Sequence, residues 1–171
     1  MYWNLGFKLM KKLAIAFFLL LSASWSLALS EGDNAPLFKA KSLSGGDVVE
    51  LRSFRGKVVY LDFWASWCGP CRKSLPELNK LRAELAGQGF EVVAVNLDEN
   101  AEDGLGFLKQ FPVDYPIAAD SSGKLPEAYG VEAMPTSYII DQQGVIRMVH
   151  AGYRDGDIAE IKAKVLQLLK K

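Results

Sequence analysis

The stretch "LDFWASWCGPCRKSLPEL", Leu61 to Leu78, holds both cysteines of the 171-residue chain, Cys68 and Cys71, with only Gly69 and Pro70 between them. A structural cross-link gains its effect from the length of chain it closes off. A bridge across two residues closes off almost nothing. The pair therefore performs chemistry, binds a metal, or has no role. Structural zinc takes four ligands, and the chain adds to the pair a single histidine, His150, far along the sequence. That residue reads as a satisfied structural histidine. Covalent haem wants a histidine directly after the second cysteine, and that position is Arg72.

The flanking residues assign a backbone to the pair. "GKVVYLDFWA" is a β-branched and aromatic run too continuous for a surface strand, so it predicts a buried central strand. Pro70 suits the first turn of a helix, where its missing N–H costs nothing. Leu75, Leu78, Leu81 and Leu85 recur at steps of three and four, predicting an amphipathic helix to Ala86. Cys68 then falls in the N-cap region, where unpaired N–H groups and the helix dipole favour a negative sulfur. Such placement lowers a thiol pKa from about 8.5 into a range of roughly 3.5 to 7.5. Arg72 and Lys73 add positive charge nearby. Cys71, one turn in, can attack a mixed disulfide formed at Cys68.

Further out, "KAKSLSGGDVVEL" predicts a hairpin around Gly45 and Gly46. "GFEVVAVNLD" is a second buried strand, "AEDGLGFLKQF" a helix weakened by two glycines, and "YPIAAD" a short strand. A helical turn at "GKLPEAYG" precedes a second hairpin, "TSYIID" with "VIRMVHAG". "DGDIAEIKAKVLQLLKK" predicts a final helix, capped by Asp155 or Asp157 and ending in lysines. There is no repeat and no internal linker. The order implies an α/β fold with a mixed sheet.

The N-terminus reads as an export signal. "KLMKK" is followed by the apolar run Leu13–Leu21, shorter than a membrane span of about 20 residues. Ala28 with Ser30, or Ser26 with Ala28, offers a cleavage site, and no cysteine follows the run to carry a lipid. An uncleaved anchor is the other reading. Either places the remainder outside the cytoplasm. The formal net charge is zero, and Lys8, Lys11 and Lys12 are the only charges of the first 30 residues. The remainder is thus slightly acidic and offers no electrostatic case for nucleic acid.

"LDFWASWCGPC" resembles the active-site stretch of thioredoxins. Together with the export signal, the lead-in hairpin and "YGVEAMPTSYIIDQQG", it makes the chain similar to the extracytoplasmic TlpA/ResA-like branch of that superfamily. The resemblance covers nearly everything after the signal. It implies residues 1–30 as signal and 31–171 as one thioredoxin-like domain, a central mixed β-sheet flanked by helices with an N-terminal β-hairpin extension. It implies thiol–disulfide oxidoreductase activity through a reversible Cys68–Cys71 disulfide, with no other cofactor and no metal.

Residue by residue, Cys68 matches the exposed nucleophile and Cys71 the buried resolving thiol. Trp67 matches the aromatic that covers the site. Pro135 matches a cis-proline whose loop lets a substrate strand pair with Met134, so Trp67, Gly69, Pro70, Met134 and Pro135 are the expected substrate contacts. Asp62 matches a buried acid beneath the sulfurs, with a raised pKa suited to accepting the Cys71 proton. Thioredoxins place a lysine beside that acid; here the matching residue is Ala94. Members that act in cytochrome c maturation carry a glutamate where this chain has Ser74, and Glu77, one turn on, reads as solvated.

The Gly-Pro dipeptide resembles reducing thioredoxins. The expected substrates are disulfide-containing proteins, met by a monomer. The chain has no dinucleotide fingerprint, so the resemblance implies electrons from a membrane donor of the DsbD/CcdA type. A disulfide oxidase or isomerase is the alternative direction. Peroxidases of the AhpC/TSA type carry a threonine three residues before their cysteine, where this chain has Ala65. A redox-inert binding module would normally have lost one of the two cysteines.

Overall fold

The computed structural model describes residues 29–170. The export signal therefore lies almost wholly outside the described residues. Seven strands and four α-helices follow one another: β1 (Lys39–Lys41), β2 (Val48–Glu50), β3 (Val58–Trp64), α1 (Cys71–Leu85), β4 (Phe90–Asn96), α2 (Ala101–Gln110), β5 (Ile117–Ala119), α3 (Lys124–Tyr129), β6 (Thr136–Ile140), β7 (Ile146–Ala151) and α4 (Asp157–Leu169). β1 and β2 form the lead-in hairpin, turned at Gly45 and Gly46, which both sit at φ +79°. Only glycine takes that conformation without strain.

The other five strands make one sheet in the order β5-β4-β3-β6-β7. β3, β4 and β5 run parallel, whereas β6 and β7 are antiparallel to their neighbours. β3 and β4 are buried at every position, as continuous apolar strands must be when both faces are covered. On one face Val58, Tyr60 and Trp64 meet Leu75, Leu78, Leu81 and Leu85 of α1 and Ile161 and Val165 of α4. On the other, Val59, Leu61 and Phe63 meet Phe38, Val49 and Leu51 of the lead-in segment and Tyr129 of α3. The lead-in also reaches both borders of the sheet. Ser42 bridges to Ala118 at β5, and Asn34 bridges to Val145 just ahead of β7.

One local expectation changes. Neither Asp155 nor Asp157 caps α4. Gly156 holds the cap position at φ +97°, and Asp157 is the first helical residue. Its carboxylate turns back to accept the Arg154 N–H at 2.7 Å and faces His150 Nε2 at 3.0 Å. Pro76 lies inside α1, where it offers no N–H to the Arg72 carbonyl one turn earlier.

Gly104 of α2 has a packing reason. A Cβ there would stand 2.9 Å from the side-chain oxygen and nitrogen of Asn96. Asn96 is buried and its amide donates to Asp98 at 2.7 Å, so it cannot step aside freely. Gly104→Ala would ordinarily gain about 1 kcal/mol of helix propensity. Here the overpacking cost of about 1–3 kcal/mol should win, and urea unfolding is expected to show a net loss.

Candidate active site

β3 delivers its chain to a tight turn. The Trp64 carbonyl accepts from Leu97 N–H at 2.9 Å, and the Cys68 N–H closes the turn on the Ala65 carbonyl at 3.1 Å. Cys68 and Cys71 are joined by a disulfide, with their Cα atoms 5.4 Å apart. α1 begins at Cys71 with Pro70 as its cap, so Cys68 stands two residues ahead of the cap rather than at it. It still lies before the positive end of a 15-residue helix.

The disulfide is less open than expected. Cys68 is 2% exposed and Cys71 is fully buried. Both belong to the main apolar cluster, against which Met134 also packs. Trp67, expected to cover the site, is exposed at the protein surface. It is 68% exposed and stands free of the core. Trp64, three residues earlier, is fully buried against Phe107 at 5.2 Å between ring centres. Gly69 and Pro70 are exposed.

The Met134–Pro135 bond is cis. Pro135 is buried, and its carbonyl accepts from Gly152 N–H at 2.7 Å. Thr136 Oγ1 donates to the Ala133 carbonyl at 2.7 Å. These bonds hold the loop that carries Met134 at the start of β6.

Asp62 sits in the middle of β3 with no exposed surface. Strand register places Ala94 on one side of it and Ser137 on the other. Ser137 Oγ donates to Asp62 Oδ1 at 2.7 Å, and Oδ2 has no protein partner. Burial pushes the carboxyl up to about 7, with the Ser137 bond pulling the other way. No lysine stands at the Ala94 position to lower it further. Tyr60, Tyr115 and Tyr153 have phenols held well above the usual range, chiefly by burial and in part by the Asp62 charge.

Ser74 is buried, and its hydroxyl has no protein partner. Glu77 is not a solvated side chain: it accepts a hydrogen bond from Tyr153 Oη. His150 lies in β7 opposite Ser137 and pairs with Asp157. Ser137, Tyr153 and Asp98 escaped the sequence reading because their partners, Asp62, Glu77 and Ser66, lie 75, 76 and 32 residues away along the chain. Among the described residues no group of three or more His, Cys, Asp or Glu side chains could hold a metal ion. A groove of about 620 Å³ between the lead-in hairpin and the α1–β5 side includes Asp47, Arg82 and Tyr115 but neither cysteine.

Residues 30–165 match the Redoxin family. The thiol-disulfide oxidoreductase ResA of Bacillus thuringiensis subsp. konkukian is 38% identical over 115 residues, covering 67% of this chain and 66% of that protein. The ResA of Bacillus subtilis is 34% identical over 125 residues, covering 73% and 69%. The chain thus spans about two thirds of the length of these curated relatives. Among solved structures, a Chlorobium tepidum protein described as thiol:disulfide interchange protein DsbE superposes with a TM-score of 0.79 at 45% identity, covering 83% of this chain and 99% of that one. A Bacteroides thetaiotaomicron protein described as a protein disulfide isomerase gives a TM-score of 0.75 at 31% identity, covering 84% and 92%. The five-strand mixed sheet and its flanking helices agree with this likeness.

Proposed function

Since the chain belongs to the Redoxin family, in its TlpA/ResA-like, thioredoxin-fold branch, we propose that it is a thiol–disulfide oxidoreductase that reduces protein disulfides outside the cytoplasm. The observation that carries this reading is the Cys68–Cys71 disulfide closed at the start of α1.

In the reduced protein the Cys68 thiolate attacks one sulfur of a substrate disulfide. The substrate S–S bond breaks, its other sulfur leaves as a thiolate and takes a proton from water, and a mixed disulfide remains at Cys68. Cys71 then gives its proton to the Asp62 carboxylate, and its thiolate attacks the Cys68 sulfur. The mixed disulfide breaks, the second substrate sulfur leaves as a thiolate and takes a proton from water, and the Cys68–Cys71 bond forms. Two electrons have passed to the substrate. Trp67, Gly69 and Pro70 form the docking surface, and the Met134 backbone offers an edge for an extended substrate segment.

The chain has no means of reducing itself. A membrane donor of the DsbD/CcdA type restores the dithiol, and the protein works as a monomer. Residues 1–28, nearly all of the expected export signal at 1–30, lie outside the described residues, and no helix among the described residues is long and apolar enough to cross a membrane. Ser74 in place of a glutamate favours a general protein-disulfide substrate over apocytochrome.

Direction is tested by the midpoint potential. Potentials of such dithiols run from about −270 mV for thioredoxin to about −120 mV for a strong oxidant. Equilibration with glutathione buffers is expected to give a value more negative than about −180 mV. A more positive value would leave the exchange chemistry intact and reverse its direction.

A further inference from the structure

We propose that Asp98 is a positioning residue for the active-site turn: by holding Ser66 it fixes how Trp67 is presented, and so how well a protein substrate docks. The inference rests on the oxidoreductase reading above and adds to it a determinant of substrate binding.

Asp98 lies two residues beyond β4 and is buried. Its carboxylate accepts the Ser66 N–H at both oxygens, 3.2 and 3.0 Å, and the Ser66 hydroxyl at 2.8 Å. The Asn96 amide donates to its second oxygen at 2.7 Å. A carboxylate buried this way is costly unless its oxygens are occupied. Here they are occupied by the turn itself.

Ser66 and Trp67 are the two central residues of the turn closed by Cys68 N–H on the Ala65 carbonyl. With both Ser66 donors committed to Asp98, the turn cannot pivot without breaking charge-assisted bonds. Trp67 is 68% exposed and belongs to neither core cluster. The position and direction of its Cα–Cβ bond are therefore set by the turn. A turn already fixed pays no backbone entropy when the aromatic makes contact, which strengthens it as an anchor. The same carboxylate reaches α2 through Asn96 and the close approach at Gly104.

The test compares pre-reduced wild type with Asp98→Ala, Asp98→Asn, Ser66→Ala, Trp67→Ala and the Asp98→Ala/Trp67→Ala double variant. Each is mixed with insulin, a protein disulfide, and with hydroxyethyl disulfide, which is too small to need the anchor. For Asp98→Ala the rate with insulin should fall about tenfold, roughly 1.4 kcal/mol, and that with hydroxyethyl disulfide by less than about twofold. Trp67→Ala should match it on insulin, and the double variant should lose no more than either single one, the mark of two residues acting through one contact.

An equal loss on both disulfides, no loss on insulin, or a double variant whose losses multiply would each overturn the proposal. If Asp98→Ala does not fold, Ser66→Ala and Asp98→Asn should show the same substrate dependence at smaller size. Wild type inert toward both disulfides would overturn the oxidoreductase reading instead. The NMR order parameter of the Trp67 amide would then judge the positioning alone: a fall in Asp98→Asn supports it, and an unchanged value overturns it.

Discussion

Cys68→Ser is expected to bring insulin reduction down to the rate of dithiothreitol alone, whereas Cys71→Ser should accumulate a covalent adduct with the substrate. The two outcomes differ because the cysteines differ in place. Cys68 lies ahead of the helix, beside exposed Trp67, Gly69 and Pro70, and it is the sulfur with any open surface. Cys71 is the first residue of α1 and is fully buried, so it reaches only what is already attached to Cys68. Removing Cys68 removes the attack. Removing Cys71 leaves the attack and deletes the release. Mass spectrometry of Cys71→Ser after exposure to insulin should show protein plus one insulin molecule, its two chains still joined by the disulfide that was not attacked. An adduct formed equally well by Cys68→Ser would reverse the assignment of the two thiols.

Asp62→Asn is expected to make the oxidised protein more stable at pH 8 and to slow the release step. In the unfolded chain an aspartate ionises near pH 3.9, whereas in the folded protein this one ionises at about 7. Between those values the native state keeps a proton that the unfolded state has lost. Stability therefore falls as pH rises through that window and levels off above about pH 7. The shift corresponds to about 4 kcal/mol once both forms are ionised. A neutral amide escapes that penalty but leaves its own N–H groups without a partner, a cost of about 1–3 kcal/mol at any pH. A net gain of about 2 kcal/mol at pH 8 should remain, and by pH 4, where the penalty is gone, it should reverse to a net loss of about 1–3 kcal/mol, as read by urea unfolding at the two values. Release of substrate from the mixed disulfide should slow by a factor of about 100 or more near neutral pH, the usual size of a lost general base. Equal stability of the two proteins at pH 8 would show that Asp62 is not a strained acid.

Much of this arrangement is legible in the sequence because it is written in runs and spacings. The unbroken apolar strands β3 and β4, the leucine spacing of α1, and both hairpins follow from periodicity and turn residues. Asp62 stands out because a carboxylate inside such a strand needs an explanation. What periodicity cannot supply is which strands lie side by side. Ser137 becomes the partner of Asp62 only when β6 is known to flank β3, and Ser66 meets Asp98 only because β4 runs parallel beside β3. Glu77 looks solvated on its own helix until the segment after β7 brings Tyr153 against it. The small exposure of Cys68 and the large exposure of Trp67 depend on tertiary packing, which no local pattern states. The Cys-Gly-Pro-Cys spacing locates the chemistry, and the register decides what surrounds it.

The lead-in segment that reaches Ala118 at one border and Val145 at the other has a consequence for assembly. It is made before either of its anchors exists, and its attachments span some of the longest sequence separations in the molecule. Closing such loops is slow and rewards the chain only when both ends have formed. The central strands and α1 can come together while this strap still hangs loose, and its arrival covers part of each sheet edge, at Ala118 and just ahead of β7. A segment made before the strands it joins is thus one of the last able to take its seat.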